Sequence, residues 1–227
     1  AAILWDFDND ADLDLYVNNE TLANTLYRNP GAPPMADIAP AAAITGTAPL
    51  SYVSVVGDID RDGDPDLLLQ NYQRHLRLYV NNIAAQPNRR WIEFTAKGRG
   101  TNTFGIGTRI VATAGGRAHW REVASGSEYK SQSTYRQRIG LGDVAEVGEV
   151  VVTFPKAGAL AAATRVLRNV PTNLEWPLWP PESLGDADAS GVRTDADRAQ
   201  LHKLLGAACG PDLARFDMTG DTLLNAD

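Results

Sequence analysis

The sequence has few of the residues on which catalysis and redox chemistry usually depend. Its 227 residues include one cysteine, Cys209, and three histidines, His75, His119 and His202. A single cysteine excludes a disulfide within the chain. Neither a G-x-S-x-G nor an H-E-x-x-H motif occurs, so two common signatures of hydrolases are missing. We therefore expect a protein without a catalytic site or an organic cofactor.

Long apolar stretches are also absent. No run of eighteen or more apolar residues occurs, which predicts no membrane-spanning helix. The sequence does not begin with Met, and its first residues do not form a signal peptide. It ends at Asp227, inside an acidic stretch. We expect a fragment of a longer polypeptide.

Charge changes sign along the chain, although the net charge is only −7. Residues 1–87 contain four Lys/Arg and twelve Asp/Glu, residues 88–176 thirteen and seven, and residues 177–227 four and nine. Such breaks in composition predict three modules, at 1–86, 87–176 and 183–227, with a Pro-rich linker at 177–182. The basic middle part either binds an anionic glycan or an acidic protein, or is a solvated face. We expect no nucleic-acid partner.

The most distinctive stretch is DIDRDGDPD at 58–66, with an aspartate at every second position. Without a cation these carboxylates would repel one another. Calcium takes six to eight oxygen ligands, which such a loop supplies. Gly63 suits a chain that wraps this tightly, because glycine tolerates positive φ. The predicted calcium ligands are Asp58, Asp60, Asp62, Asp66 and Asp64, the last through its backbone carbonyl.

The same pattern occurs fifty-two residues earlier, as DFDNDADLD at 6–14, and similar sequences follow both loops. This is an internal repeat. Ala11 stands where Gly63 stands, and alanine is strained at positive φ. We therefore expect a second, weaker calcium site, with the ligands Asp6, Asp8, Asp10, Asp12 and Asp14.

DFDNDADLDLYVNN and GDIDRDGDPDLLLQNY resemble the FG-GAP (VCBS) repeats of integrin-like β-propellers. The resemblance implies that each calcium loop joins two strands of a blade, and that the site is structural. A blade has four strands in about fifty to sixty residues, and closure takes at least four blades. Two loops therefore predict an incomplete propeller.

Residues 87–176 alternate apolar and polar positions in short runs, which predicts strands of a β-sandwich or barrel. Gly115-Gly116 predicts a hairpin between two of these strands. The stretches GTNTFGIGTRIV, REVASGSEYKSQS and RIGLGD resemble the ASPIC/UnbV domain, which follows FG-GAP propellers in many secreted proteins. The pairs Gly105-Ile-Gly107 and Gly140-Leu-Gly142 are interpreted as turn glycines rather than as a phosphate-binding loop.

The C-terminal part carries two further acidic loops. The first fits a twelve-residue EF-hand-like pattern, with Asp at its twelfth position. A helix follows, and then a second loop in which Thr222 replaces the expected glycine. The pair resembles a truncated dockerin module, which implies a cohesin-like receptor as partner; the alternative is a calcium-stiffened spacer. The predicted ligands are Asp186, Asp188, Ser190, Val192 and Asp197 in the first loop and Asp217, Thr219 and Asp221 in the second.

Together these patterns predict a mainly β protein. It would contain partial FG-GAP propeller blades, a β-sandwich or barrel-like ASPIC/UnbV domain and a small α-helical calcium-loop module. The predicted function is that of a secreted or cell-surface, non-catalytic protein that binds Ca²⁺ and serves adhesion or protein interaction. Two alternatives stay open: the accessory part of an extracellular hydrolase, docked through the C-terminal module, or a subunit of an extracellular surface assembly.

Overall fold

The computed structural model describes residues 1–46, 51–72, 76–83, 88–126 and 128–181. The named elements in these residues are all β-strands, and they form two compact units. The first comprises Ala1–Trp91, Ser125–Thr134 and Ile139–Asp143. The second comprises Ile92–Ala124, Tyr135–Arg138 and the described residues from Val144 onward. The mainly β prediction is confirmed, whereas the predicted helical module at 183–227 lies outside the described residues.

The first unit begins with a four-stranded antiparallel meander. Its strands follow one another in chain order, and the first pairs with the second from Ala2↔Val17 to Trp5↔Asp14. This is the number of strands predicted for one blade. The strands are β1 (Ala2–Trp5), β2 (Asp14–Val17), β3 (Thr25–Arg28) and the short β4 (Ala36–Asp37), the last within a stretch that has no strand-like pattern.

A second antiparallel sheet repeats this arrangement with three strands. They are β5 (Ser51–Gly57), β6 (Asp66–Asn71) and β7 (Leu76–Tyr79). The segment 125–134 belongs to this unit: Ser131 Oγ donates to the Ser54 carbonyl at 3.0 Å, and the Val56 amide donates to Ser133 Oγ at 3.0 Å. Part of the sequence predicted as the middle domain therefore packs with the repeats.

The core of the first unit draws on both sheets, because alternate residues of each strand point inward. Trp5 and Tyr16 meet edge to face, with ring centroids 6.0 Å apart. The buried Tyr16 hydroxyl donates to the Ile44 carbonyl at 3.0 Å and accepts from Asn24 Nδ2 at 2.9 Å, so its polar end is satisfied. The buried core residues are Ile3, Trp5, Tyr16, Leu26, Ala39, Leu67 and Leu69.

In the second unit a four-stranded antiparallel sheet has the order β10-β9-β12-β13. Alternation is clearest in the second half of EVGEVVVTF, where Val150, Val152 and Phe154 are fully buried. Gly115 and Gly116 both have positive φ and join β9 to β10, which confirms the predicted hairpin. The strands are β9 (Arg109–Ala114), β10 (Arg117–Glu122), β12 (Glu146–Phe154) and β13 (Ala163–Pro171).

Three further strands form a sheet in the order β11-β8-β14. They are β8 (Arg90–Ala96), β11 (Gln137–Gly142) and β14 (Leu174–Leu178). β14 pairs in parallel with β8 and includes Pro177, opposite Thr95. The prediction that the linker begins at 177 is therefore wrong, because Trp176 and Leu178 are fully buried side chains of an edge strand, where proline is tolerated. The described residues contain no candidate membrane-spanning helix.

Candidate metal centre

Two acidic loops occupy the same place in the two sheets of the first unit. The upstream loop connects β1 to β2, and the downstream loop connects β5 to β6. Each follows the first strand of its sheet and enters the second strand at an aspartate, Asp14 or Asp66. The internal repeat read from the sequence is therefore a structural repeat.

In each loop three carboxylates converge. Asp6, Asp8 and Asp14 each place an oxygen atom within 4.8 Å of the others, and so do Asp58, Asp60 and Asp66. The upstream trio is buried, whereas Asp60 in the downstream trio is exposed and Asp58 is partly exposed. Six of the predicted ligands therefore meet as two groups, one of which opens to solvent.

The last aspartate of each loop is held by backbone amides. Asp14 Oδ1 accepts from the Asn29 amide at 2.8 Å and Asp14 Oδ2 from the Phe7 amide at 3.1 Å. Asp66 accepts in the same way from the amides of Asn81 and Ile59, both at 2.8 Å. These bonds fix the carboxylate orientation before any ion binds.

The other predicted ligands lie along the turns. The Asp12 amide donates to Asp10 Oδ1 at 3.1 Å, and the Asp64 amide donates to Asp62 Oδ1 at 3.0 Å. Asp10, Asp12, Asp62 and Asp64 stand outside the two converging trios. The role predicted for the Asp64 carbonyl stays a prediction.

The two loops also share a backbone conformation, with positive φ at equivalent residues. The φ angle is +80° at Ala11 and +101° at Gly63. Positive φ at this position is what the sequence predicted, and alanine there is strained where glycine is not. At Gly63 a side chain would also collide with its surroundings, since an added Cβ would lie 2.0 Å from the Trp91 indole nitrogen.

Burial raises the pKa of each carboxylate in the upstream trio. The pKa of Asp6 is raised to about 7, mainly by burial and further by the neighbouring charges of Asp10, Asp14 and Asp8. Burial likewise raises the pKa of Asp14 to about 7, although two backbone hydrogen bonds oppose it. A divalent cation among these groups would reverse both shifts, because it favours the ionised form.

Two arginines that were not predicted from the sequence reach the upstream loop. Arg28 Nη2 lies 2.7 Å from Asp8 Oδ2 and 3.4 Å from Asp10 Oδ2. Arg89 Nη1 lies 3.6 Å from Asp8 Oδ1. Burial raises the pKa of Asp8 with help from the charge of Asp10, while both guanidinium groups oppose the rise. An alignment of the two repeats would have singled out Arg28, because the residue aligned with it, fifty-two positions later, is the uncharged Val80.

Gly140 packs against the upstream loop rather than forming a turn, which corrects the interpretation of Gly140, whereas Gly142 ends β11 with a positive φ of +58°. Gly140 lies within β11, where an added Cβ would lie 2.1 Å from Asp6 Oδ2 and 2.6 Å from Asn9 Cα. The Gly142 amide donates to the Asn9 carbonyl at 2.9 Å. By contrast, Gly105 and Gly107 have positive φ within a turn, as predicted.

The donor set fits a hard divalent cation. Both trios offer only carboxylate oxygens, the ligand type that calcium and magnesium prefer. In the upstream loop, Asp8 Oδ1 and Asn9 Oδ1 are buried and accept no hydrogen bond. Asn9 Nδ2 donates to the Gly63 carbonyl at 2.9 Å and so ties the two loops together. The eight predicted C-terminal ligands, from Asp186 to Asp221, lie outside the described residues.

Comparisons with known proteins agree with both resemblances. Residues 6–69 match the FG-GAP-like repeat family. Residues 98–183 match the ASPIC and UnbV family. Cartilage acidic protein 1 from Homo sapiens is 30% identical over 169 residues, which cover 67% of this chain and 24% of that protein. The chain thus spans about a quarter of the length of this curated relative. The predicted FG-GAP-like repeat and ASPIC/UnbV domain are confirmed.

Proposed function

We propose that this chain, which carries an FG-GAP-like repeat and an ASPIC/UnbV domain, is a calcium-stabilised, non-catalytic part of an extracellular interaction protein. The two domain types suggest a non-catalytic protein of the extracellular kind, and FG-GAP repeats are typically involved in protein interaction. The observation that carries the proposal is the pair of equivalent carboxylate trios between the first two strands of each sheet.

Calcium is the ion favoured by the chemistry of the loops. The trios contain oxygen donors alone, whereas zinc sites usually include histidine or cysteine. The downstream trio also opens to solvent, which leaves room for further oxygen ligands and so suits the higher and looser coordination of calcium over the compact octahedron of magnesium. Asp58, Asp60 and Asp66 would hold the downstream ion, and Asp6, Asp8 and Asp14 the upstream ion. Bound there, the ion would neutralise the carboxylates and fix the loop.

If the acidic loops have a structural role, they are not the surface that binds a partner. Partner recognition would then lie on the exposed faces of the repeats and of the ASPIC/UnbV domain, toward a protein or an anionic glycan. Docking through the C-terminal loops, as the accessory part of a hydrolase or within a surface assembly, stays a separate prediction about residues 183–227.

Calorimetric titration of the metal-stripped protein tests the calcium proposal. We expect heat of binding with Ca²⁺, weaker binding with Mg²⁺, and loss of one site in Asp60→Asn, whose exposed side chain can change without disturbing the core. Glu146→Gln, an exposed acid at the start of β12, is the matched control and should bind like the wild type. Equal titrations of Asp60→Asn and wild type would refute the downstream site.

A further inference from the structure

The two acidic loops differ at one neighbouring position, which is residue 28 in the first repeat and residue 80 in the second. Leu26-Tyr27-Arg28-Asn29 aligns with Leu78-Tyr79-Val80-Asn81 at the same offset as the loops. The alignment is anchored in space, because the amides of Asn29 and Asn81 donate to Asp14 Oδ1 and Asp66 Oδ1, both at 2.8 Å. Arginine in one repeat and valine in the other therefore occupy equivalent backbone positions beside equivalent acidic loops.

The upstream arginine is directed into the acidic loop. Its guanidinium nitrogen lies 2.7 Å from Asp8 Oδ2, an ion-pair distance, and Asp8 is only 2% exposed. The same nitrogen lies 3.4 Å from Asp10 Oδ2, and Arg89 approaches the other oxygen of Asp8 at 3.6 Å. The downstream loop has valine at the equivalent position, so it has no charge there to balance Asp60.

We propose that Arg28 is an internal counter-ion that competes with calcium for Asp8, so that the upstream loop is held mainly by arginine and the downstream loop by metal. The inference rests on the proposed calcium function and assigns different ion dependence to its two sites. For Asp8 to bind calcium through Oδ2, the guanidinium must move away, and the two positive charges must then share a buried site. Arg28 would thus set the calcium affinity of the upstream loop.

Two consequences follow for the protein without calcium. The upstream loop keeps part of its charge balance, because Arg28 and Arg89 remain in place. The downstream loop has Val80 at the position of Arg28, so no arginine at that position can take over from the ion when calcium is removed. Calcium removal would therefore loosen the downstream loop first, and the two repeats would respond to different calcium concentrations.

Reciprocal substitution tests this assignment. Arg28→Val gives the upstream loop the neighbour of the downstream loop, and Val80→Arg does the reverse. With the downstream site disabled by Asp60→Asn, we expect Arg28→Val to raise the calcium affinity of the upstream site at least tenfold in calorimetric titration. Arg28→Lys, which keeps the charge, should leave it near the wild-type value. Arg77→Val, which removes an exposed arginine of β7, is the control for general loss of positive charge.

The second arm uses Val80→Arg, an exposed position that tolerates a long side chain. With the upstream site disabled by Asp8→Asn, we expect its downstream calcium affinity to fall at least tenfold. A readout without metal accompanies both arms: in EDTA, Arg28→Val should melt at a lower temperature than the wild type, and calcium should then raise its melting temperature by more.

The sign of the change separates this inference from its alternatives. If Arg28→Val lowers the upstream affinity or leaves it unchanged, Arg28 orients Asp8 or plays no part, and the inference is overturned. An unchanged downstream affinity in Val80→Arg also contradicts it, even if Arg28→Val does not fold. If neither loop of the wild type nor of Arg28→Val binds calcium, the proposed function itself fails. If the downstream loop binds calcium but Arg28→Val does not change the calcium affinity of the upstream loop, the inference is overturned and the proposed function stands.

Discussion

Gly63→Ala is the substitution whose cost the structure defines most completely. The φ of +101° at Gly63 costs an alanine about 1–2 kcal/mol. The new Cβ would also lie 2.0 Å from the nitrogen and 2.6 Å from the adjacent carbon of the Trp91 indole, and relieving such overlap costs about 1–3 kcal/mol. We therefore expect the free energy of unfolding to fall by about 2–5 kcal/mol.

Urea denaturation in EDTA measures this loss independently of calcium. Gly57→Ala is the matched control, because it lies at the end of β5, just before the same loop, with nothing within 4 Å of an added Cβ. It should change the free energy of unfolding by less than about 0.5 kcal/mol. In a Trp91→Ala background the cost of Gly63→Ala should fall to the part due to φ, about 1–2 kcal/mol. An equal cost in both backgrounds would refute the role of Trp91.

Three further predictions concern the upstream loop. Ala11→Gly should relieve the alanine at φ +80° and tighten the upstream calcium site without a loss of stability, as judged by titration and melting; weaker binding would contradict this account. Gly140→Ala should destabilise the protein by about 1–3 kcal/mol in urea denaturation, because its Cβ would meet Asp6 Oδ2 at 2.1 Å and the backbone of Asn9 at 2.6 Å; Gly148→Ala, whose nearest neighbour lies at 3.7 Å, should not. Without calcium, the protein should be more stable at pH 5 than at pH 8, because Asp6 and Asp14, with pKa raised to about 7, bind more protons folded than unfolded, and the stability they add is lost as pH rises through 7. Thermal melts across this range in EDTA measure the effect, and a rise in stability with pH would contradict it.

Local patterns predicted most of the strands and both acidic loops. The alternation in Arg109–Ala114 and the glycine pair that follows it are properties of neighbouring residues, so the hairpin could be recognised without tertiary information. The same holds for the repeat, in which Ala11 and Gly63 take the positive φ that a tight acidic loop requires.

What the sequence did not predict depends on residues far apart in the chain. β14 pairs in parallel with β8, some eighty residues earlier, and Pro177 alone favours a linker. Arg89 meets Asp8, and Gly140 meets Asp6, through tertiary packing that no local pattern encodes. Arg28 is different, because comparison of the two repeats would have singled it out as an arginine aligned with Val80, although its contact with Asp8 is visible only in the structure.

Thermal melting in millimolar calcium and in excess EDTA tests most directly whether the acidic loops are structural calcium sites. Calcium at about a hundred times its dissociation constant adds about 2.7 kcal/mol per site, which raises the melting temperature by about 5–10 °C for a chain of this size. Calcium should have a much smaller effect on Asp60→Asn than on the wild type. Identical melting of the wild type in calcium and in EDTA would contradict the account, since the loops would then be acidic turns that need no ion.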